Sequence, residues 1–133
     1  MPVFTRLRDG VLVVTVDGDY TPGELSRAGE RGLASDEVPS PVAVLLDMSG
    51  AAGLESKSQD DLRLTGEFFG EHREAMTRVA VLTPSDTAYD LLDSGGTFAE
   101  SIGIPSRPFR DRAEAIEWLS GGEPGSGASE QRR

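Results

Sequence analysis

The sequence predicts an α/β fold: one domain on a mostly parallel, five-stranded mixed sheet, in the order ββαβαβαβα, opened by an antiparallel hairpin. Three observations predict it. Two continuous apolar runs, Val42 to Leu46 and Arg78 to Leu82 apart from its first residue, read as strands covered on both faces, the pattern of a parallel sheet. Helix-start signals recur between strand-like runs, at Thr21, Ser58, Thr83 and Asp111. Asp9-Gly10 between two strand patterns is a two-residue hairpin signal.

Taken in order, Val3 to Arg8 alternates Val3, Thr5 and Leu7 against Phe4, Arg6 and Arg8, a half-exposed edge strand. Val11 to Val16 returns from the turn and is apolar on both faces, so it is a central or covered strand. Thr21-Pro-Gly-Glu24 is a capping box with proline at the first helical position. The helix it opens carries Leu25, Ala28 and Leu33, and Gly29 and Gly32 predict that it is short and marginal. Ser35 to Pro41 is a polar linker. Asp47 ends the strand begun at Val42, and a small-residue loop runs from there to Ser56. The second helix begins at Ser58 and places Leu62, Thr65, Phe69, His72 and Met76 on one stripe, widened by Leu64 and Phe68.

After the strand Arg78 to Leu82, Thr83-Pro-Ser-Asp86 repeats the start signal seen at Thr21. Its helix carries Tyr89, Leu91 and Leu92, is interrupted at Gly95-Gly96, and resumes through Phe98 and Ile102. Ser106 to Phe109 is a short last strand. Asp111-x-x-Glu114 caps a final helix with Ala113, Ile116 and Leu119 inward and Trp118 nearby. Residues 1–120 are expected to form the domain. Residues 121–133, rich in glycine, serine and charge, are expected to be a disordered tail.

Composition excludes several functions. The chain has 133 residues, no cysteine and one histidine, His72, so disulfides, thiolate metal sites, cysteine nucleophiles and histidine-rich metal sites are ruled out. No apolar run approaches the ~20 residues of a membrane span, and no signal-peptide pattern is seen, which predicts a cytoplasmic protein. The net charge of −10 disfavours nucleic acid and general adsorption to an anionic membrane. Twelve of the thirteen basic residues are arginine.

Three stretches together resemble a known group. Val44-Leu-Leu-Asp-Met-Ser-Gly50 is similar to the apolar–Asp–x–Ser–Gly strand and loop of STAS domains. Arg78 to Leu82 resembles the next core strand. Arg107 to Leu119 resembles the ending of the SpoIIAA-like branch of the STAS/SEC14 group, with its Phe, capped helix start and Glu-Ala-x-x-Trp-Leu helix. The resemblance covers about residues 3–120 and implies a STAS-like fold, no catalysis, no cofactor, and either an apolar ligand or a regulatory protein partner.

Two sites follow as expectations. The first is a cavity for a lipid-like molecule between the second helix and the broken one after it. Leu62, Phe68, Phe69, Met76 and Phe98 would line it, with His72 and Tyr89 as polar anchors. Packing of those side chains on one another is the alternative. The second is Ser56, which falls at the phosphoacceptor position of anti-sigma-factor antagonists when Asp47 is aligned. Those proteins read Asp-Ser-Ser-Gly there and this one reads Glu55-Ser56-Lys57-Ser58, so helix capping competes with phosphorylation as its role. Asp47 suits an Asx-type turn holding Ser49 and Gly50. No spacing of acids matches a metal motif. A transient membrane contact and a homodimer stay open as associations.

Overall fold

The computed structural model describes residues 3–51, 59–83, 85–95 and 103–120. Five strands form one sheet in simple sequence order: β1 (Val3–Arg8), β2 (Val11–Gly18), β3 (Val42–Ala51), β4 (Met76–Leu82) and β5 (Ser106–Phe109). β1 and β2 are antiparallel and the remaining pairs are parallel, as the sequence predicts. At the hairpin, Asp9 (φ 54°) and Gly10 (φ 81°) both adopt the left-handed backbone that a tight primed turn requires.

Each parallel crossover moves one strand further across the sheet. Right-handed crossovers in one direction put their helices on one face. α1 (Pro22–Ala34), α2 (Gln59–Glu71) and α3 (Asp86–Gly95) accordingly share a core with one sheet face, through Leu25 and Ala28, Phe69, and Ala88. That core holds Val14, Val16, Val44, Leu46, Val79 and Val81. α4 (Arg112–Leu119) follows the last strand and returns over the opposite face, where Ala115, Trp118 and Leu119 meet Leu45, Ala80, Leu82 and Phe109. One helix covers only part of a five-stranded face. α4 sits over β3, β4 and β5, Val11 and Val13 of β2 are still buried in that core, and the β1 side of the face, with Phe4, Arg6 and Arg8, stays exposed.

Local chemistry sets the helix starts. Thr21 and Glu24 form the reciprocal capping box, with Glu24 N–H donating to Thr21 Oγ1 at 3.1 Å and Thr21 N–H to Glu24 Oε1 at 2.9 Å, worth about 1 kcal/mol. Asp111 caps α4 by accepting from the Ala113 and Glu114 amides.

Five expectations are corrected. α1 is a full 13-residue helix, not a short one. Its two buried glycines are contact points. A Cβ at Gly29 would lie 3.0 Å from the Phe68 ring, and one at Gly32 would lie 3.2 Å from Leu12, so glycine lets α1 approach α2 and the sheet. β3 continues past Asp47 to Ala51 because β2 pairs with it up to Gly18. α3 is capped by Ser85, whose Oγ accepts from Ala88 N–H at 3.1 Å, while the Thr83 hydroxyl donates to Phe109 O at 2.9 Å and ties β4 to β5. α2 stops at Glu71, a 3-10 turn spans Arg73–Ala75, and Met76 opens β4, so Met76 lies on no helix face. Leu64 points to solvent, 48% exposed, and does not widen the apolar stripe of α2.

Candidate functional site

The open end of the sheet is where unassigned chemistry collects. Phe4, Arg6 and Arg8 stand opposite Thr15, Val13 and Val11 across the β1–β2 ladder. Directly opposed residues project to the same face, so the side of β1 carrying both arginines lies over the buried Val11 and Val13. A shallow groove of about 320 Å³ forms there, walled by Arg6, Arg8 and Asp9 on one side and by Arg112 and Ile116 of α4 on the other, with Val11 and Val13 as its floor.

Arg112 is held in place from below. Asp47 is buried, 4% exposed, on the sheet face beneath α4. Its Oδ2 accepts from the Arg112 guanidinium. Its Oδ1 accepts from Ser49 N–H at 3.0 Å and from Ser49 Oγ at 2.5 Å. The Asx-type contact expected at Asp47 is present, set within a strand, with an ion pair to a residue 65 positions away that the sequence did not suggest. A carboxylate so placed satisfies its charge and fixes the first turn of α4 against β3.

A second, smaller recess of about 160 Å³ lies beside β1 on the α1 side, bounded by Thr5, Arg6, Leu7, Leu12, Arg31, Gly32, Ser35, Glu37 and Val38. Among the described residues, no strand pairs with the outer edge of β1. The other edge, β5, is four residues long and contains Pro108, which cannot donate to another strand. β1 has six residues without proline, and Phe4 and Leu7 are 48% and 38% exposed along it.

The charges around this edge are distinctive. Arg63 pairs with Asp60 and Glu67, Arg110 with Asp86, and Arg112 with Asp47. Arg73 and Arg78 donate to carbonyls, and Arg107 lies over the Phe109 ring. Among the described residues, Arg6, Arg8, Arg27 and Arg31 make no hydrogen bond, ion pair or ring contact, and all four lie on β1 and α1. In a chain of net charge −10, the uncommitted arginines thus fall on two neighbouring elements, with Asp9 and Glu37 lining the adjacent groove and recess.

The residues expected to line an apolar cavity lie elsewhere. Phe69 (1% exposed) and Met76 (4%) are built into the core beneath α1 and α2. Phe68 is half-buried, edge-on to Phe69 at 5.2 Å and 4.8 Å from the His72 ring. Those four residues are gathered together, and Tyr89 on α3 is half-buried. The Leu62 side chain, Phe98 and Ser56 lie outside the described residues. Among the described residues no three acids or histidines cluster in a way that could hold a metal, and no helix is long and apolar enough to cross a membrane.

Sequence reasoning passed over Arg6, Arg8, Arg31 and Arg112. The alternation in β1 showed that Arg6 and Arg8 share a face, but their convergence with α1 and α4 is a property of the assembled sheet.

A crystal structure of an uncharacterized protein of the DUF3478 family with a SpoIIAA-like fold, from Shewanella loihica PV-4, is similar to this chain. The TM-score is 0.57 at 18% sequence identity, covering 88% of this chain and 91% of that one. The chain has a SpoIIAA-like fold. No family model and no curated relative matches it.

Proposed function

We propose that this SpoIIAA-like domain is a non-enzymatic, STAS-type binding module whose partner is an acidic protein segment received at the β1 end of the sheet. One observation carries the reading: the arginines left uncommitted among the described residues all lie on β1 and α1, with Arg6 and Arg8 walling the open groove and Arg31 at the recess on the other side of β1, in an otherwise acidic chain. Such a patch steers an anionic partner while the rest of the surface repels it, which gives orientation and specificity. Binding rather than catalysis is supported by how the polar side chains are used. The Asp47 carboxylate is occupied by Arg112 and Ser49, and His72 lies against Phe68. Among the described residues the His72 ring makes no hydrogen bond to a hydroxyl, so the Ser49–Asp47 contact has no histidine beside it.

The alternative of an apolar-molecule carrier needs an opening between α2 and α3, and two of its intended walls, Phe69 and Met76, are already filled by core packing. The acidic-partner reading is therefore preferred. Fluorescence anisotropy with labelled polyglutamate tests it. Wild-type protein should bind, and binding should weaken as salt is raised through the range where the screening length falls below about 10 Å. The variant Arg6→Ala/Arg8→Ala/Arg31→Ala should lose most of the signal. Equal binding by that variant, or none by wild type at low salt, overturns the proposal.

A further inference from the structure

We infer that the acidic partner docks by strand addition: an extended segment pairs with the free edge of β1 and becomes the sixth strand, carrying acidic side chains at alternate positions. This rests on the acidic-partner reading and specifies its mode.

The edge supplies the backbone half of the argument. In an antiparallel pair, alternate residues of a strand turn their N–H and C=O away from their partner, so β1 presents such a row on its outer side. Proteins commonly blunt free edges by shortness or proline. β5 has both devices, whereas β1 has neither and carries only charge, in Arg6 and Arg8. The charges on β1 do not block an incoming chain in general. They select against basic segments and for acidic ones.

The two faces of β1 supply the side-chain half. An added strand lies about 4.8 Å from β1, and its successive residues point to opposite faces. On the open face those residues come alongside Phe4, Arg6 and Arg8. Acidic side chains there form cross-strand pairs with both guanidiniums. On the other face they come alongside Thr5 and Leu7 and enter the recess bounded by Val38 and Gly32, which takes small apolar side chains. Arg31 and Glu37 both line that recess, so the positive charge that selects acidic side chains comes from Arg6 and Arg8 on the open face, and the recess side favours neutral ones. The recognised pattern is thus acidic and apolar residues in alternation.

The experiment uses the full chain and acetylated, amidated peptides of about seven residues, a common strand length. One alternates glutamate with valine. A second has the same sequence with alternate amides N-methylated on the edge that would pair with β1. A third replaces glutamate by lysine. The readouts are titration by anisotropy and backbone amide hydrogen exchange. The glutamate–valine peptide should bind in a salt-dependent way and slow exchange at alternate amides of β1. Loss of several backbone hydrogen bonds should make the N-methylated peptide bind about tenfold more weakly or worse. The lysine peptide should not bind. Arg6→Glu/Arg8→Glu, checked for fold by circular dichroism, should lose binding of the glutamate–valine peptide.

If the N-methylated peptide binds as tightly as its parent while Arg6→Glu/Arg8→Glu abolishes binding, strand addition is wrong and the acidic-partner reading survives. If neither peptide nor polyglutamate binds, both fall. A protein that sediments as a dimer through β1 and is not dissociated by the peptide shows that the occupant is a second copy. Capture by phosphatidylserine vesicles without peptide binding shows that it is a membrane. Either result overturns the proposal.

Discussion

Replacing Trp118 by alanine tests how α4 is fastened to the sheet. The indole is buried, 7% exposed, and its ring lies 5.7 Å from that of Phe109. The Arg78 and Arg107 guanidiniums stand over it at 5.0 and 5.9 Å. Arg78 Nη1 also donates to the Trp118 carbonyl at 2.6 Å, a bond that survives truncation of the side chain. Truncating a buried tryptophan removes its transfer energy and leaves a cavity, together about 3–5 kcal/mol. Of this, about 0.5–1.5 kcal/mol belongs to the pairing with Phe109 and about 0.5–1 kcal/mol to each cation–π contact. For a domain of this size, each kcal/mol lowers the melting temperature by about 3–5 °C, so a drop of about 10–20 °C is expected. Trp118→Phe keeps an aromatic ring beside the guanidiniums and should cost about 1–2 kcal/mol. Because Trp118 is the sole tryptophan, unfolding in urea should be followed by far-UV circular dichroism. A loss below about 1 kcal/mol with an unchanged denaturant slope would refute the reasoning, since α4 would then be held by something other than this ring.

Tyr20 is buried, and burial first, then the charges of Asp61 and Asp19, push its hydroxyl up to about 12 from the ordinary value of 10.0. The folded state therefore holds a proton that the unfolded state gives up sooner. Its contribution is complete below pH ~10 and is lost as pH rises toward ~12, a fall of about 2–3 kcal/mol in stability that Tyr20→Phe should remove from a pH series of melts. Asp47→Ala should destabilise by about 1.5–3 kcal/mol, because Ser49 and Arg112 lose a charged acceptor. The figure stays at that level because the Arg112 side chain is 51% exposed and regains water. Equal stability would show that the pair does not secure α4. No phosphoryl adduct is expected on Ser56 in intact mass spectra of protein from its native host, because the Glu55-Ser56-Lys57-Ser58 sequence departs from the phosphoacceptor motif it resembles. An adduct removed by Ser56→Ala would contradict this. Deleting residues 121–133 should shift the melting temperature by no more than a few degrees, since that stretch has no apolar periodicity.

The elements legible in the sequence are those whose signals act over a few residues. The Asp9-Gly10 turn, the Thr21–Glu24 box and the Asp111 cap close within four positions, and each forms as read. The apolar run at Val42 needed only its own composition to mark a strand covered on both faces, and the alternation from Val3 to Arg8 marked the edge. Strand–helix alternation with right-handed crossovers then left few topologies, and the observed one is the simplest of them. What only the tertiary structure decided concerns partners distant in sequence. Gly29 and Gly32 weaken a helix in isolation, yet here they admit Phe68 and Leu12, which lie on other elements. Met76 fits a helical stripe by spacing, but the chain turns at His72 and pairing with Val42 draws Met76 into β4. Asp47 shows no sign in its neighbours that Arg112 will be its counter-ion. The gathering of Arg6, Arg8 and Arg31 around one open edge arises because one helix cannot cover a five-stranded face and because α1 crosses beside β1. Local propensity and capping are written in adjacent residues. Close approach, ion pairing and the location of an uncovered surface are settled only when the sheet brings remote segments together.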